Sequence, residues 1–416
     1  MLKSMQQFTG NFGSTLRAPF LELMVVCALS IVAPAQTFTV IHTFSGGGDG
    51  YQPYSGVTID QAGNLYGTTT QSYRGTFFQM KHRNGAWTFN TLYQFGNGEW
   101  IPEGRLVFGP GGALYGTTYT GGNGFCTEFG CGTVYSLRPP QTFCRSVSCP
   151  WTNSITYSFT GSDGDAPGFV APAFDSAGNM YGTTTLGGNY NSGNVFQLTR
   201  SNGGWTATSI HDFNGYDGYE PYSGVTLDAQ GNVYGTAWMS GLNNKGSVYR
   251  LTQSGSGWAE DTLYSFPNNS DGSNPVGGLV FDQAGNLFGT TQNGGVGGGG
   301  TVFELSPSGG GWNFNVLYSF TGKSGPLDTL AMDAAGNLYG TTYADGAYGY
   351  GSVFKLTRNN GNWSYTDLHD FTSGADGANP VGGVSLDTSG NLYGTTSDGA
   401  GGPCTLGCGT VWEITP

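Results

Sequence analysis

The chain has 416 residues, 75 of them glycine and 18 proline, with only 10% charged and a formal net charge of −13. So acidic a surface repels nucleic acid and anionic lipid, which excludes both as expected partners. Many turn formers with aromatic and β-branched residues between them indicate an all-β chain.

Residues 1–35 read as a secretory signal peptide. Lys3 and Arg17 lead, Leu23 to Val32 is apolar, and Ala33-Pro34-Ala35 supplies a small-residue cleavage site. The apolar run is too short to cross a bilayer. Cleavage before Gln36 removes Lys3, Arg17 and Glu22, so the net charge moves to −14. The expected product is exported, extracellular, periplasmic or at the cell surface, monomeric, and without a membrane span.

From residue 36 to 416 one phrase returns seven times: an Asp or its stand-in, a Gly-Asn turn, an aromatic and Gly-Thr-Thr. The copies are Asp60 to Thr69, Gly109 to Thr118, Asp175 to Thr184, Asp228 to Ala237, Asp282 to Thr291, Asp333 to Thr342 and Asp387 to Thr396. A period of roughly 50 residues with several short strands is the length of a propeller blade. The expected fold is a single seven-bladed β-propeller domain of four-stranded blades spanning 36–416.

The fifth repeat gives the plan. Gly278 to Asp282 is an apolar run suited to an innermost strand, Gln283 to Asn286 is a turn, and Leu287 to Thr291 returns as the second strand. Thr301 to Leu305 is the third and Trp312 to Phe320 the fourth. Fourth strands recur as Trp87 to Phe95, Trp151 to Phe159, Trp205 to Phe213, Trp258 to Phe266 and Trp363 to Phe371, one short of seven. Gln36 to Phe44 has the missing strand's length and closing Phe, and the chain stops after a third strand, Thr410 to Thr415. The N-terminal strand is therefore expected to complete the last blade, closing the ring and removing exposed edges.

Six cysteines follow residue 35 as close pairs, Cys126 with Cys131, Cys144 with Cys149 and Cys404 with Cys408. In an exported chain this spacing predicts local disulfides that staple loops. A zinc site would need four convergent ligands, and the histidines do not cluster with these cysteines.

The phrase GNLYGTT, the third-strand patterns GTVFEL and GSVFKL and the fourth-strand W…LYSF resemble the GloVer tandem-repeat family of exported bacterial proteins, over essentially all of 36–416. The resemblance implies a propeller but no reaction or catalytic residues.

His42, His211 and His369 occupy the position held by Tyr93, Tyr157, Tyr264 and Tyr318 in other repeats, so they read as packing aromatics; His82 reads as a turn residue without a partner. Gly295, Gly297 and Gly300 satisfy GxGxxG, but no helix follows to hold a phosphate. No GxSxG, HExxH, P-loop or EF-hand pattern occurs. The Asp that opens six of the seven phrases is explained by turn formation.

Recognition has better candidates. Asp49, Asp163, Asp217, Asp271 and Asp376, each in an Asp-Gly pair, lie in loops from a fourth strand to the next first strand. Five carboxylates at one mouth offer a cation such as calcium oxygen ligands, although Asp-Gly is also a good turn and no cofactor is required. The residue after Gly-Thr-Thr varies on a constant frame: Thr70, Tyr119, Thr185, Trp238, Gln292, Tyr343, Ser397. Tyr51, Tyr54, Tyr219 and Tyr222 lie in loops of the first and fourth repeats, on the same face. The expected ligand-binding set is Tyr51, Tyr54, Tyr119, Tyr219, Tyr222, Trp238 and Tyr343, which suits sugars. The expected function is a non-enzymatic binding or structural module for an extracellular polysaccharide or protein. The alternative is a secreted glycan-active enzyme using acidic residues at the mouth, Asp217 with Glu220 or Asp163 with Asp165.

Overall fold

A computed structural model describes residues 36–416 except 71–73, 97, 141–150, 202, 240–242, 256, 268–269 and 360. The proposed signal segment and the Cys144–Cys149 pair lie outside the described residues.

Seven antiparallel four-stranded sheets form a ring, a seven-bladed β-propeller, and among the described residues there is no α-helix. In the fifth blade the strands are Val280–Phe281, Leu287–Thr291, Thr301–Ser308 and Gly311–Ser319. The second strand has the bounds the sequence predicts. The first contributes two ladder residues, and the Gly278 N–H before it donates to Thr329 Oγ1 of the next blade at 3.0 Å. The third strand runs on to Ser308, and Phe320 leaves the ladder to donate its N–H to the Gly300 carbonyl at 2.9 Å.

Ring closure follows the expectation. Thr37–Thr43 pairs antiparallel with Thr410–Thr415 from Thr37 opposite Thr415 to Thr43 opposite Thr410, so the first strand among the described residues completes the blade begun by Ser385–Leu386. The second repeat carries an additional ribbon, Glu99–Trp100 against Thr120–Gly121.

Each part of the recurring phrase has a job. In six repeats the Asp Oδ1 accepts amide N–H bonds from the residues two and four positions on, while Oδ2 accepts from the Asn side chain; Asp60 does so at 2.9, 2.8 and 2.7 Å. The phrase tyrosine hydroxyl also donates to Oδ2, as Tyr66 does at 3.0 Å. The Gly that follows has no room for a side chain, since a Cβ on Gly67 would sit 2.5 Å from the Phe78 ring.

The first Thr clasps the next blade. Thr68, Thr117, Thr183, Thr236, Thr290, Thr341 and Thr395 donate to the carbonyls of Pro102, Val170, Ser223, Gly277, Asp328, Gly382 and Pro53, at 2.6 to 3.5 Å. The second Thr locks its own blade by pairing with the start of the third strand, as Thr291 does with Thr301 at 2.9 Å. Between blades, the fourth-strand Trp packs on the phrase aromatic of the blade before, for example Trp87 on Tyr393 and Trp363 on Phe288, both at 5.8 Å.

Outer strands carry a further seam. His42 stacks on Phe89, Tyr264 on Phe314, Tyr318 on Tyr365 and Phe38 on His369, at centroid separations of 3.6 to 4.2 Å. At the three remaining junctions the stacking partner's place is taken by Asn153, Ala207 and Glu260.

Candidate functional site

A cavity of about 280 Å³ opens at the ring's axis, on the face reached by the loops that precede the first strands. Its wall is one repeat position used seven times, six residues before the turn: Tyr54, Glu103, Phe169, Tyr222, Val276, Leu327 and Val381. Trp238 and Gln292 add to the rim, and Arg105 and Asp328 line it as well. The size is near the lower end of the ~300–1,000 Å³ typical of small-molecule sites.

The backbone around this mouth is rigidly tied. The N–H groups of Thr70, Tyr119, Thr185, Trp238, Gln292, Tyr343 and Ser397 donate to the carbonyls of Gln52, Ile101, Ala166, Glu220, Asn274, Gly325 and Asn379, at 3.0 to 3.3 Å. Six of those acceptor residues have positive φ, between 52° and 62°. Such a conformation is uncommon outside glycine and holds only where its surroundings fix it. The side chain after Gly-Thr-Thr therefore varies over a fixed main chain.

Three of the expected binding residues, Tyr54, Tyr222 and Trp238, line the cavity. Tyr222 and Trp238 meet edge to face at 5.5 Å, and the Tyr222 hydroxyl donates to Glu220 Oε2 at 3.1 Å. Tyr119 sits close by: burial raises its hydroxyl pKa, and the carboxyl groups of Glu103, Asp165 and Glu220 raise it further. Tyr343 is raised by burial and by Asp398. Burial pushes Tyr54 up to about 12, helped by Asp398, Glu103, Tyr343 and Tyr51. Tyr51 packs against the core formed around Phe44, Phe78 and Val411, and Tyr219 is raised chiefly by its hydrogen bond to Glu220. Among the other varied positions, Thr70, Thr185 and Ser397 are buried.

The five Asp-Gly carboxylates are not gathered into one ligand group; each turns into its own loop. Asp376 accepts from the Thr372 amide at 2.9 Å and lies 3.2 Å from His369 Nε2. Asp271 accepts from the Tyr264 hydroxyl at 2.7 Å, and Asp163 from that of Tyr157. Asp49 and Asp217 stand 3.4 Å from His42 and His211. The expected calcium role thus falls on carboxylates already occupied within single blades. A bulge explains the pairing: each fourth strand holds one extra residue, such as Leu368 or Ile41, and in the five blades whose next loop carries an Asp-Gly the side chain after it meets that Asp. Sequence reading took the His or Tyr and the Asp separately, whereas the fold makes them partners. His82 is also corrected, since it lies within the strand Thr76–Arg83 and its ring lies 5.0 Å from Trp87.

Cys126–Cys131 and Cys404–Cys408 are disulfides. Among the described residues one group of three metal-type ligands converges, Cys126, Cys131 and Asp165, and its sulfurs are spent on that bridge.

The charged residues of the cavity escaped the sequence reading. Burial holds the Glu103 carboxyl at about 7, and no group among the described residues donates a hydrogen bond to it. Arg105 turns elsewhere, donating to the Val57 and Val384 carbonyls at 3.0 and 3.3 Å and to Ser385 Oγ. Asp328 accepts from the Thr329 and Gly383 amides, both at 2.6 Å. Superposing the repeats on their turn residue brings Glu103 into register with Tyr54 and Tyr222, and that was the available signal.

The sequence profile of the Gloeobacter/Verrucomicrobia repeat matches residues 27–237, 128–328 and 240–416. No curated protein matches the chain. Similar solved structures include a candidate 6-phosphogluconolactonase from Bacteroides uniformis, 12% identical, TM-score 0.50, covering 76% of this chain and 84% of that one. A Lactobacillus plantarum protein is 10% identical with a TM-score of 0.50 over 76% and 83% of the two chains. AofleA from Arthrobotrys oligospora is 11% identical with a TM-score of 0.46 over 80% and 89%. At such identities the likeness to the first two is one of fold alone.

Proposed function

The chain belongs to the Gloeobacter/Verrucomicrobia repeat family, and from that premise we propose that it is an exported binding module that recognises an extracellular glycan at the axial mouth of its propeller. The observation that carries the reading is the convergence of Tyr54, Phe169, Tyr222 and Trp238 on one cavity beside an unpartnered carboxyl, Glu103. Aromatic faces stack on the apolar faces of sugar rings, and a carboxyl takes their hydroxyls.

A polymer is favoured by what surrounds the mouth. Phe125, Tyr190, Tyr216, Val296, Tyr348, Tyr350 and Leu406 are exposed, Phe125 at 98% and Tyr216 at 89%, and all belong to loops of the same face. Exposed apolar side chains concentrated on one face mark an interaction surface.

A panel of polysaccharides read by tryptophan fluorescence and calorimetry tests this. The double variant Tyr222→Ala, Trp238→Ala is expected to bind about tenfold more weakly or worse with unchanged melting, since losing ~1.4 kcal/mol of stacking is a tenfold change. Unchanged binding in that variant overturns the site, and silence across the panel overturns the glycan reading. A catalytic reading has one supporting observation: Glu103 is held near neutrality in the cavity that Asp328 also lines, as a general acid beside a second carboxylate would be. Release of reducing ends that stops in Glu103→Gln is its signature.

A further inference from the structure

The unoccupied hydrogen-bonding capacity of Glu103 says what kind of sugar fits. Resting on the glycan reading above, we propose that the axial mouth selects a sugar unit bearing a free, positively charged amino group, with the ammonium on Glu103 and the ring against the aromatic wall.

Three observations carry this. First, Glu103 lines the cavity without a donor among the described residues, while the one cation of that wall, Arg105, is committed to Val57, Val384 and Ser385. A half-buried carboxyl left in that state gains most from a ligand that brings both donors and positive charge. Second, Tyr54, Phe169, Tyr222 and Trp238 present rings to the same space. Aromatic walls around a carboxyl attract ammonium groups through the ring quadrupole as well as by charge. Third, the chain's net charge of −13 draws cations towards it and repels acidic sugars. The elevated carboxyl pKa agrees, since an ammonium at this point would return Glu103 to its ionised form.

Calorimetry of the full chain at pH 6.5 and 150 mM salt tests the proposal with three probes: a glucosamine oligomer, its fully N-acetylated counterpart and a glucose oligomer of equal length. The glucosamine oligomer is expected to bind about tenfold more tightly than either neutral probe or better. Glu103→Gln should abolish that preference, bringing the glucosamine oligomer to the same affinity as the two neutral probes in a chain whose melting shows that it still folds. Because the acidic outer surface is untouched in this variant, a preference that survives it reports diffuse charge attraction and overturns the proposal. Equal affinity for all three probes also overturns it but leaves the glycan reading standing. Failure of all three to bind removes the proposal, and failure of the wider panel as well removes the glycan reading.

Discussion

Phe38, in the first strand of the described chain, lies face to face with His369 of the preceding blade, ring centroids 3.6 Å apart and planes 5° from parallel. The contact joins residues at opposite ends of the sequence, so the ring's last junction is sealed by its first strand. Phe38→Ala should cost about 2 kcal/mol, somewhat less than a fully buried Phe. Removal of Gln36 to Phe44 should prevent cooperative folding, because Thr410–Thr415 then becomes an open edge. Denaturant unfolding of both variants checks this. A soluble truncation with unchanged melting would show that closure does not depend on this strand.

His42 and His369 make acid the weak side of the molecule. Burial depresses both imidazole pKa values, more than Asp49 and Asp376 raise them. Each contributes stability that is present above the unfolded value of 6.5 and is lost as pH falls below it, since the unfolded chain takes up the proton first. Tyrosine holds this position in other blades and makes the same bond at Tyr264 to Asp271. The double variant His42→Tyr, His369→Tyr should therefore fold and show a shallower fall in melting temperature between pH 7 and pH 5.

Glu103 acts in the opposite sense. Its carboxyl stays protonated to about 7 in the folded chain against 4.5 when free, so folding is penalised increasingly as pH rises from 4.5 to 7. Glu103→Gln should be more stable than the parent by on the order of 2 kcal/mol above pH 7, with the difference vanishing near pH 4. Tyr54, Tyr119, Arg105 and Asp328 are common to both proteins, so the difference isolates Glu103. Chemical denaturation across that range is the measurement.

Thr395 reaches across the closure to the Pro53 carbonyl at 2.8 Å. Thr395→Val keeps the shape and removes the donor, leaving a buried carbonyl unpaired, which should cost about 1–2 kcal/mol. The same change at exposed Thr160 should cost little. Equal effects would deny the inter-blade clasp any special weight.

The sequence made the repeat, the blade count and the closing strand legible because each phrase carries its own local physics: an Asp that closes a turn, a Gly under an aromatic, a Trp that starts the fourth strand. Leu287 to Thr291 was bounded correctly, since its turn and its glycine both mark it. Glu103 and Asp328 were not found, because Glu103 stands where other repeats carry Tyr, Phe, Val or Leu and Asp328 where they carry Ser, Gly or Val, and only the ring brings those positions together. The pairing of His369 with Asp376 was hidden for a related reason. A bulge at Leu368 sets that geometry, and nothing in composition announces an extra residue in a ladder.

The amide tethers at the mouth also bear on engineering. At Tyr119, Trp238, Gln292 and Tyr343 the main chain is anchored to a neighbouring carbonyl and is indifferent to which side chain it displays. Randomising these four codons in a combinatorial library is expected to leave the strands in place, so that the propeller serves as a cartridge with four interchangeable slots.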